Sequence, residues 1–166
     1  MVIRQQWRYG LVRVLGPATV LNVVINLGFG WALFPTDQPM PRWGDPSVGV
    51  DLLVTTFLLT LFMAWITMPL IALEVRQGVL PPLPRSSQRL PLLQRWPKRH
   101  WLAALLLGLV ALAVFGPLVG LALELLGPPA FSRAEALGLK GAYSALLTPL
   151  VLPFMLAVVL REQRYA

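Results

Sequence analysis

Two asparagines inside an apolar segment are the first residues of this sequence whose chemistry indicates a specific role. Asn22 and Asn26 stand four residues apart, a spacing that puts both amides on one face of a helix. An unpaired amide in hydrocarbon is costly, so this face should point at another helix. The pair either holds helices together or lines a path for a small solute or ion, and the sequence leaves both interpretations open.

Carboxylates and hydroxyls at similar depth extend this polar set. At about 1.5 Å per residue, Asn26 lies roughly 12 Å from the outer end of its helix, level with Thr55 and Thr56. We therefore predict a hydrogen bond between Asn26 and these hydroxyls. Asp51 lies about one turn inside the second apolar segment, and Glu124 lies near the outer end of the third. The depths predict a cavity open to the outside with this lining: Asn26, Asp51, Thr55 and Glu124.

Each carboxylate also has a structural explanation. Asp51 stands in the first turn of a helix, where the macrodipole stabilises a negative charge by roughly 0.3 to 1 kcal/mol. Glu124 is close enough to the end of its segment to reach headgroups and water. Carboxylates deep in a span usually mark function, whereas those at its ends cost little. Both interpretations remain open for both residues.

The signatures of common enzymes and metal sites are missing. The chain has no cysteine, and it lacks a Ser-His-Asp elbow, a His-Glu-x-x-His motif and a phosphate-binding glycine loop. His100, the single histidine, is either an interfacial residue or an axial ligand of a tetrapyrrole. We therefore expect no enzymatic activity, no catalytic residue and no metal site, and the sequence specifies no cofactor.

The segments that position these side chains are apolar and long. Hydrophobic residues make up 57% of the 166 residues and charged residues 13%, against about half and a quarter in a soluble domain. Apolar segments of about 20 residues cross a bilayer. The chain is therefore predicted to be a single all-α membrane domain over residues 1–166, a four-helix bundle of two helical hairpins. Its predicted spans are 14–34, 48–73, 101–126 and 141–160.

The connections carry turn formers and helix caps. Proline and glycine in 35–47 predict a loop, with Ser47 or Asp45 capping the second helix. Gly127–Pro129 should end the third helix, and Ser132–Glu135 has the spacing of a capping box, with one turn of interfacial helix behind it. The first span is long enough to cross and lacks a small-residue cleavage site, which favours a span over a signal peptide.

The distribution of positive charge predicts the orientation. Of the 14 Lys and Arg residues, eleven lie in the two tails and in the proline-rich loop 74–100. The opposite loops hold the other three: Arg42, Arg133 and Lys140. The positive-inside rule then places both termini and loop 74–100 in the cytoplasm. Three aromatic residues are predicted at the outer interface: Trp31, Trp43 and Tyr143.

The same distribution indicates the partner of the basic residues. A net charge of +7 in a soluble protein would suggest nucleic acid, but here the basic residues flank apolar segments. That arrangement is typical of contact with anionic lipid. We therefore expect the lipid bilayer as a partner and no nucleic acid.

Two stretches carry a family resemblance. RWGDPSVGVDLLVTTFLL (42–59) followed by VRQGVLPPL (75–83) resembles small, uncharacterised bacterial four-span membrane proteins, and the spacing of Asn22 and Asn26 fits the same pattern. The similarity covers roughly the first half of the chain and brings no known activity. It implies a bacterial inner membrane.

Three functions follow from these observations. A four-span unit rarely encloses a transport route alone, so the leading hypothesis is a non-enzymatic accessory or assembly subunit that associates with other membrane subunits or with itself. The alternative is an oligomeric carrier or channel for a small solute, lipid or ion, which uses the polar face near the outer leaflet. An intramembrane enzyme acting on a lipid is the third.

Overall fold

The protein is an all-α bundle of four helices, each long and apolar enough to cross a membrane. The structure is a computed structural model that describes residues 15–79, 96–97 and 99–162. The helices are α1 (Gly16–Leu33), α2 (Val48–Arg76), α3 (His100–Leu126) and α4 (Arg133–Glu162). The predicted fold class of an integral membrane four-helix bundle is therefore confirmed. The basic N-terminal tail and residues 80–95 lie outside the described residues.

Short polar caps determine where α2 and α4 begin. Ser47 has extended backbone, and its hydroxyl accepts a hydrogen bond from the Val50 amide at 3.3 Å, so Ser47 rather than Asp45 caps α2. Ser132 and Glu135 form the predicted capping box, in which the Glu135 carboxylate accepts from the Ser132 amide at 2.8 Å. This box starts α4 itself, so the helix begins at Arg133, well before the predicted span 141–160, and no separate interfacial turn precedes it.

The two connections at one end of the bundle pair with each other. Strand β1 (Met40–Pro41) lies antiparallel to β2 (Ala130–Phe131). The Arg42 guanidinium donates to the carbonyls of Leu123 at 2.9 Å and Glu124 at 3.2 Å in the last turn of α3. We call this end, formed by residues 34–47 and 127–132, the loop end, and the opposite end the tail end. Which end faces the cytoplasm stays a prediction of the charge pattern.

The helices of different hairpins make the most extensive contacts. Chain order gives the hairpins α1–α2 and α3–α4, but α2 packs chiefly on α3, and α1 packs chiefly on α4. A third interface joins α2 to α4. Glycine allows the close approach of α2 and α3, because a Cβ on Gly108 would lie 3.1 Å from the Phe57 ring. Helix α4 therefore has α1 and α2 as its main neighbours.

The buried side chains form two clusters of different character. The larger cluster joins α2, α3 and α4 toward the tail end and includes Met68 and Met155. The smaller cluster lies at the loop end around Phe34, Leu52 and Phe131. Between them, buried polar side chains of α2 and α4 interrupt the apolar interior. These polar residues form the candidate site.

Candidate functional site

An ion pair between α2 and α4, formed by a buried lysine and a partly buried aspartate, is the centre of the candidate site. Lys140 is 3% exposed, and its Nζ lies 2.6 Å from Oδ1 of Asp51. The ammonium also lies 5.3 Å from the ring centroid of Phe34. Lys140 is seven residues into α4 and Asp51 three into α2, a difference of about 6 Å along the helices. Helical side chains lean toward the N-terminus, so the lysine stem spans this difference toward the loop end.

Tyr143 adds a second link between the same helices. Its phenolic oxygen lies 2.5 Å from the Thr56 hydroxyl oxygen. Thr56 donates its single hydroxyl proton to the carbonyl of Leu52 at 2.7 Å, so Tyr143 is the donor to Thr56. That Tyr143 lies at the outer interface stays a prediction. Its hydroxyl has a partner inside the bundle, which makes burial of the ring favourable.

Hydroxyls continue from Lys140 along one face of α4. Ser144 and Thr148 follow it at intervals of four residues, and both are fully buried. Each donates to the backbone carbonyl four residues earlier, at 2.8 Å and 2.9 Å. The Thr148 oxygen also accepts from the Asn22 amide of α1 at 3.1 Å, and the same amide nitrogen lies 3.3 Å from the sulfur of Met63 on α2. Three helices therefore meet at this point.

These side chains together extend from near the loop end to the middle of the bundle. Lys140 and Thr148 are eight residues apart on α4, which corresponds to about 12 Å along the helix. We call the set the polar column and define it by these residues: Asn22, Asp51, Thr56, Lys140, Tyr143, Ser144 and Thr148. Its chemistry is one cation, one anion and several hydroxyl and amide groups.

Two of the predicted site residues, Asn26 and Thr55, do not form the predicted contact. The Asn26 amide donates to the backbone carbonyl of Asn22 at 2.9 Å, within its own helix, and does not bond to Thr55 or Thr56 in the described structure. The cause is the packing of α1, which contacts α4 far more than α2. Thr55 is buried, but on a helix that Asn26 does not reach.

Glu124 is also separate from the polar column. Its side chain is 56% exposed at the loop end, where Oε1 accepts from the Trp43 indole at 2.6 Å and Oε2 lies 3.3 Å from the Arg42 guanidinium. The predicted shared cavity with Asp51 is therefore not the arrangement observed. Helix α3 packs on the face of α2 that carries Phe57, whereas Asp51 turns toward α4.

The described residues offer no clear place for a metal ion. Over residues 15–79, 96–97 and 99–162, no group of three or more His, Cys, Asp or Glu side chains lies close enough to bind one. His100 is the first residue of α3, at the tail end, remote from the polar column. Its interpretation as a tetrapyrrole ligand stays a prediction.

The site predicted from sequence lacks four residues of the polar column: Lys140, Tyr143, Ser144 and Thr148. The charge pattern predicts Lys140 to be a loop cation, although it lies inside α4 and is among the most buried charged groups described. The signal that identifies it is periodicity, since Lys140, Ser144 and Thr148 repeat at the four-residue spacing of one helical face. Asn22 and Asn26 of α1 have the same four-residue spacing.

The fold and the polar column define an integral membrane protein of four helices with a buried charged pair between α2 and α4. No protein-family model, curated protein or solved structure matches the chain. A proposal for its function therefore rests on the contacts of its own residues.

Substitution of the two asparagines should separate their roles. We expect Asn22→Leu to lower the free energy of unfolding by roughly 0.6 to 1.5 kcal/mol, because it removes a hydrogen bond between helices. Asn26→Leu should cost less, since its amide bonds only to its own helix. Unfolding in mild detergent, followed by tryptophan fluorescence, measures both. An equal or larger loss for Asn26→Leu would contradict this assignment.

Proposed function

We propose that the chain is a carrier or channel subunit for a small polar solute, and that the polar column provides its binding groups. The observation that supports this most is the Asp51–Lys140 pair, because charged groups inside membrane helices are rare and commonly line solute or ion paths. Hydroxyls follow the pair toward the middle of the bundle, where a solute would otherwise lose its hydrogen bonds.

The charge of the site favours a solute of zero net charge. Asp51 and Lys140 neutralise each other, so a single bound ion would introduce an uncompensated charge into a medium of low dielectric constant. A neutral polar molecule or a zwitterion adds none. The Lys140 ammonium is a donor, and the Asp51 carboxylate and the hydroxyl oxygens, including that of Tyr143, are acceptors.

The proposal extends to the setting of the protein. The charge pattern favours a cytoplasmic tail end and an outward-facing loop end, and the sequence resemblance favours a bacterial inner membrane. A unit of four helices has few surfaces with which to enclose a path. We therefore propose that the working form is an oligomer or a complex with other membrane subunits.

An accessory or assembly subunit without catalytic activity is the second candidate. Helix α1 supports it, because Gly30 is the one residue of this helix classed as buried in the described structure. Large side chains such as Val24 and Trp31 are more than 60% exposed. This face fits another membrane helix as well as it fits lipid. In that case the polar column would serve to hold α1, α2 and α4 together.

Solute flux into proteoliposomes distinguishes the two functions. Glycerol, glycine and K⁺ serve as neutral, zwitterionic and ionic probes, with osmotic swelling as the readout for the first two. We expect flux of glycerol or glycine and none of K⁺. The double variant Asp51→Asn/Lys140→Met should reduce the flux by about tenfold or more, which corresponds to roughly 1.4 kcal/mol.

The matched control is Asp37→Asn, which makes the same chemical change at an exposed loop-end residue whose carboxylate bonds only to Thr36 in the described structure. Its flux should equal that of the unmodified protein. Absence of flux with all three probes, or unchanged flux in the double variant, would contradict the carrier and favour the accessory subunit.

A further inference from the structure

We infer that the polar column is a one-sided binding site, open to solutes from the loop end and closed toward the tail end by an apolar plug. This inference deepens the proposed function and rests on it for the nature of the occupant, a small uncharged or zwitterionic hydrogen-bonding molecule. It concerns access, which a labelling experiment measures independently of flux.

The distribution of buried polar groups supports one-sided access. Among the described residues, the buried polar and charged side chains lie between the loop end and the middle of the bundle: Ser47, Thr55, Thr56, Thr60, Lys140, Ser144 and Thr148. Beyond Thr60 on α2 and Thr148 on α4, the buried side chains described are apolar. The loop-end half of the interior therefore combines these polar groups with the apolar cluster around Phe34, whereas the tail-end half is apolar.

Two buried oxygen atoms in the loop-end half of the bundle indicate that a small hydrogen-bonding molecule binds there. Oδ2 of Asp51 and Oγ1 of Thr60 are buried and have no hydrogen-bond partner among the residues described. A buried acceptor without a partner is unfavourable, and a solute or water molecule that donates a hydrogen bond relieves it. The side chain of Asp51 is 19% exposed and that of Lys140 4%, so Asp51 is the point where a solute from the loop end first meets the pair.

The plug consists of apolar side chains, two of which are flexible methionines. Met68 and Ile71 on α2 and Met155 and Val159 on α4 are at most 1% exposed and belong to one cluster. A polar solute that moves past them would give up its hydrogen bonds. Methionine is unbranched and adapts its shape, which allows such a plug to open without unfolding the helices. The described structure thus corresponds to a form closed at the tail end.

Single cysteines test the inference cleanly, because the chain has none of its own. Ser144→Cys and Thr148→Cys report on the polar column, and Met68→Cys and Met155→Cys report on the plug. Each variant is treated with a membrane-impermeant thiol reagent in right-side-out and in inverted membrane vesicles. Only variants that keep the melting temperature of the unmodified protein are compared, and the two positions in each region allow for the loss of one.

Two exposed positions define the sides of the membrane. Asp37→Cys marks the loop end and Arg76→Cys the tail end, since both residues are exposed. We expect Ser144→Cys and Thr148→Cys to react from the Asp37 side only, and roughly tenfold faster than the plug cysteines, because modification follows the access of water to the thiolate.

The outcomes separate this inference from the proposed function. Equal labelling of column and plug, or labelling of the column from the Arg76 side, would overturn one-sided access even if the solute flux is normal. One-sided labelling of Ser144→Cys and Thr148→Cys without any flux would support the access path and contradict the carrier.

Discussion

Asp51→Asn is expected to lower the free energy of unfolding by roughly 3 kcal/mol, the scale of removing one partner from a buried ion pair. The cost arises mainly from the partner that remains. Lys140 is 3% exposed, so without the charge of Asp51 its ammonium keeps only a neutral amide oxygen and the face of Phe34 as partners among the described residues. Unfolding in mild detergent at neutral pH, monitored by tryptophan fluorescence, measures this loss.

Lys140→Met should be less harmful than Asp51→Asn, although it breaks the same contact. The carboxylate that it leaves is more exposed than the lysine and stands in the first turn of α2, where the helix macrodipole favours a negative charge. The double variant Asp51→Asn/Lys140→Met removes both charges and should recover most of the stability. The order of the two single variants thus reports which charge is more deeply buried.

The control for these variants is Asp37→Asn, at an exposed residue of the same end, which should change the free energy of unfolding by less than about 0.5 kcal/mol. Additive effects of Asp51→Asn and Lys140→Met in the double variant would contradict direct pairing. A double variant that is stable but inactive in the flux assay would separate the role of the pair in function from its role in folding.

Hydropathy predicted the fold because the solvent around most of the chain is hydrocarbon. Segments of more than 20 apolar residues have few alternatives to a spanning helix, so the observed bounds of α2 and α3 lie close to the predicted 48–73 and 101–126. The start of α4 was less predictable. Lys140 made the segment 133–140 resemble a polar loop, whereas the pairing with Asp51 allows the helix to continue through it.

The sequence predicts several residues of the candidate site but not the contacts between their side chains. Asp51, Thr56 and Asn22 belong to the polar column, yet depth along a helix axis does not specify which helices are neighbours. Because α1 packs on α4, Asn22 meets Thr148, and Asn26 does not form the predicted bond to Thr55 or Thr56 on α2. Glu124 has a depth similar to Asp51 but lies on α3, which packs on another face of α2.

Gly30→Val is the other substitution with a large expected effect, a loss of roughly 2 kcal/mol in the free energy of unfolding through overpacking. Gly30 is buried against side chains of α4. A Cβ there would lie 2.8 Å from Cδ2 of Leu137 and 3.2 Å from Cδ of Lys140. Gly30→Ala should cost less, because the Leu137 methyl group is the far end of a side chain that can rotate away.

Gly28→Val is the matched control, since Gly28 lies on the same helix with nothing within 4 Å of its Cβ position. Both substitutions introduce the same residue into the same helix, so the difference between them reports the packing around Gly30, against Leu137 and Lys140 of α4 and against Phe34. Gly30→Val presses on the stem of Lys140 and should therefore also weaken the ion pair and lower the solute flux, whereas Gly28→Val should leave both unchanged. Equal stability of the two variants would mean that α1 does not pack on α4 at Gly30.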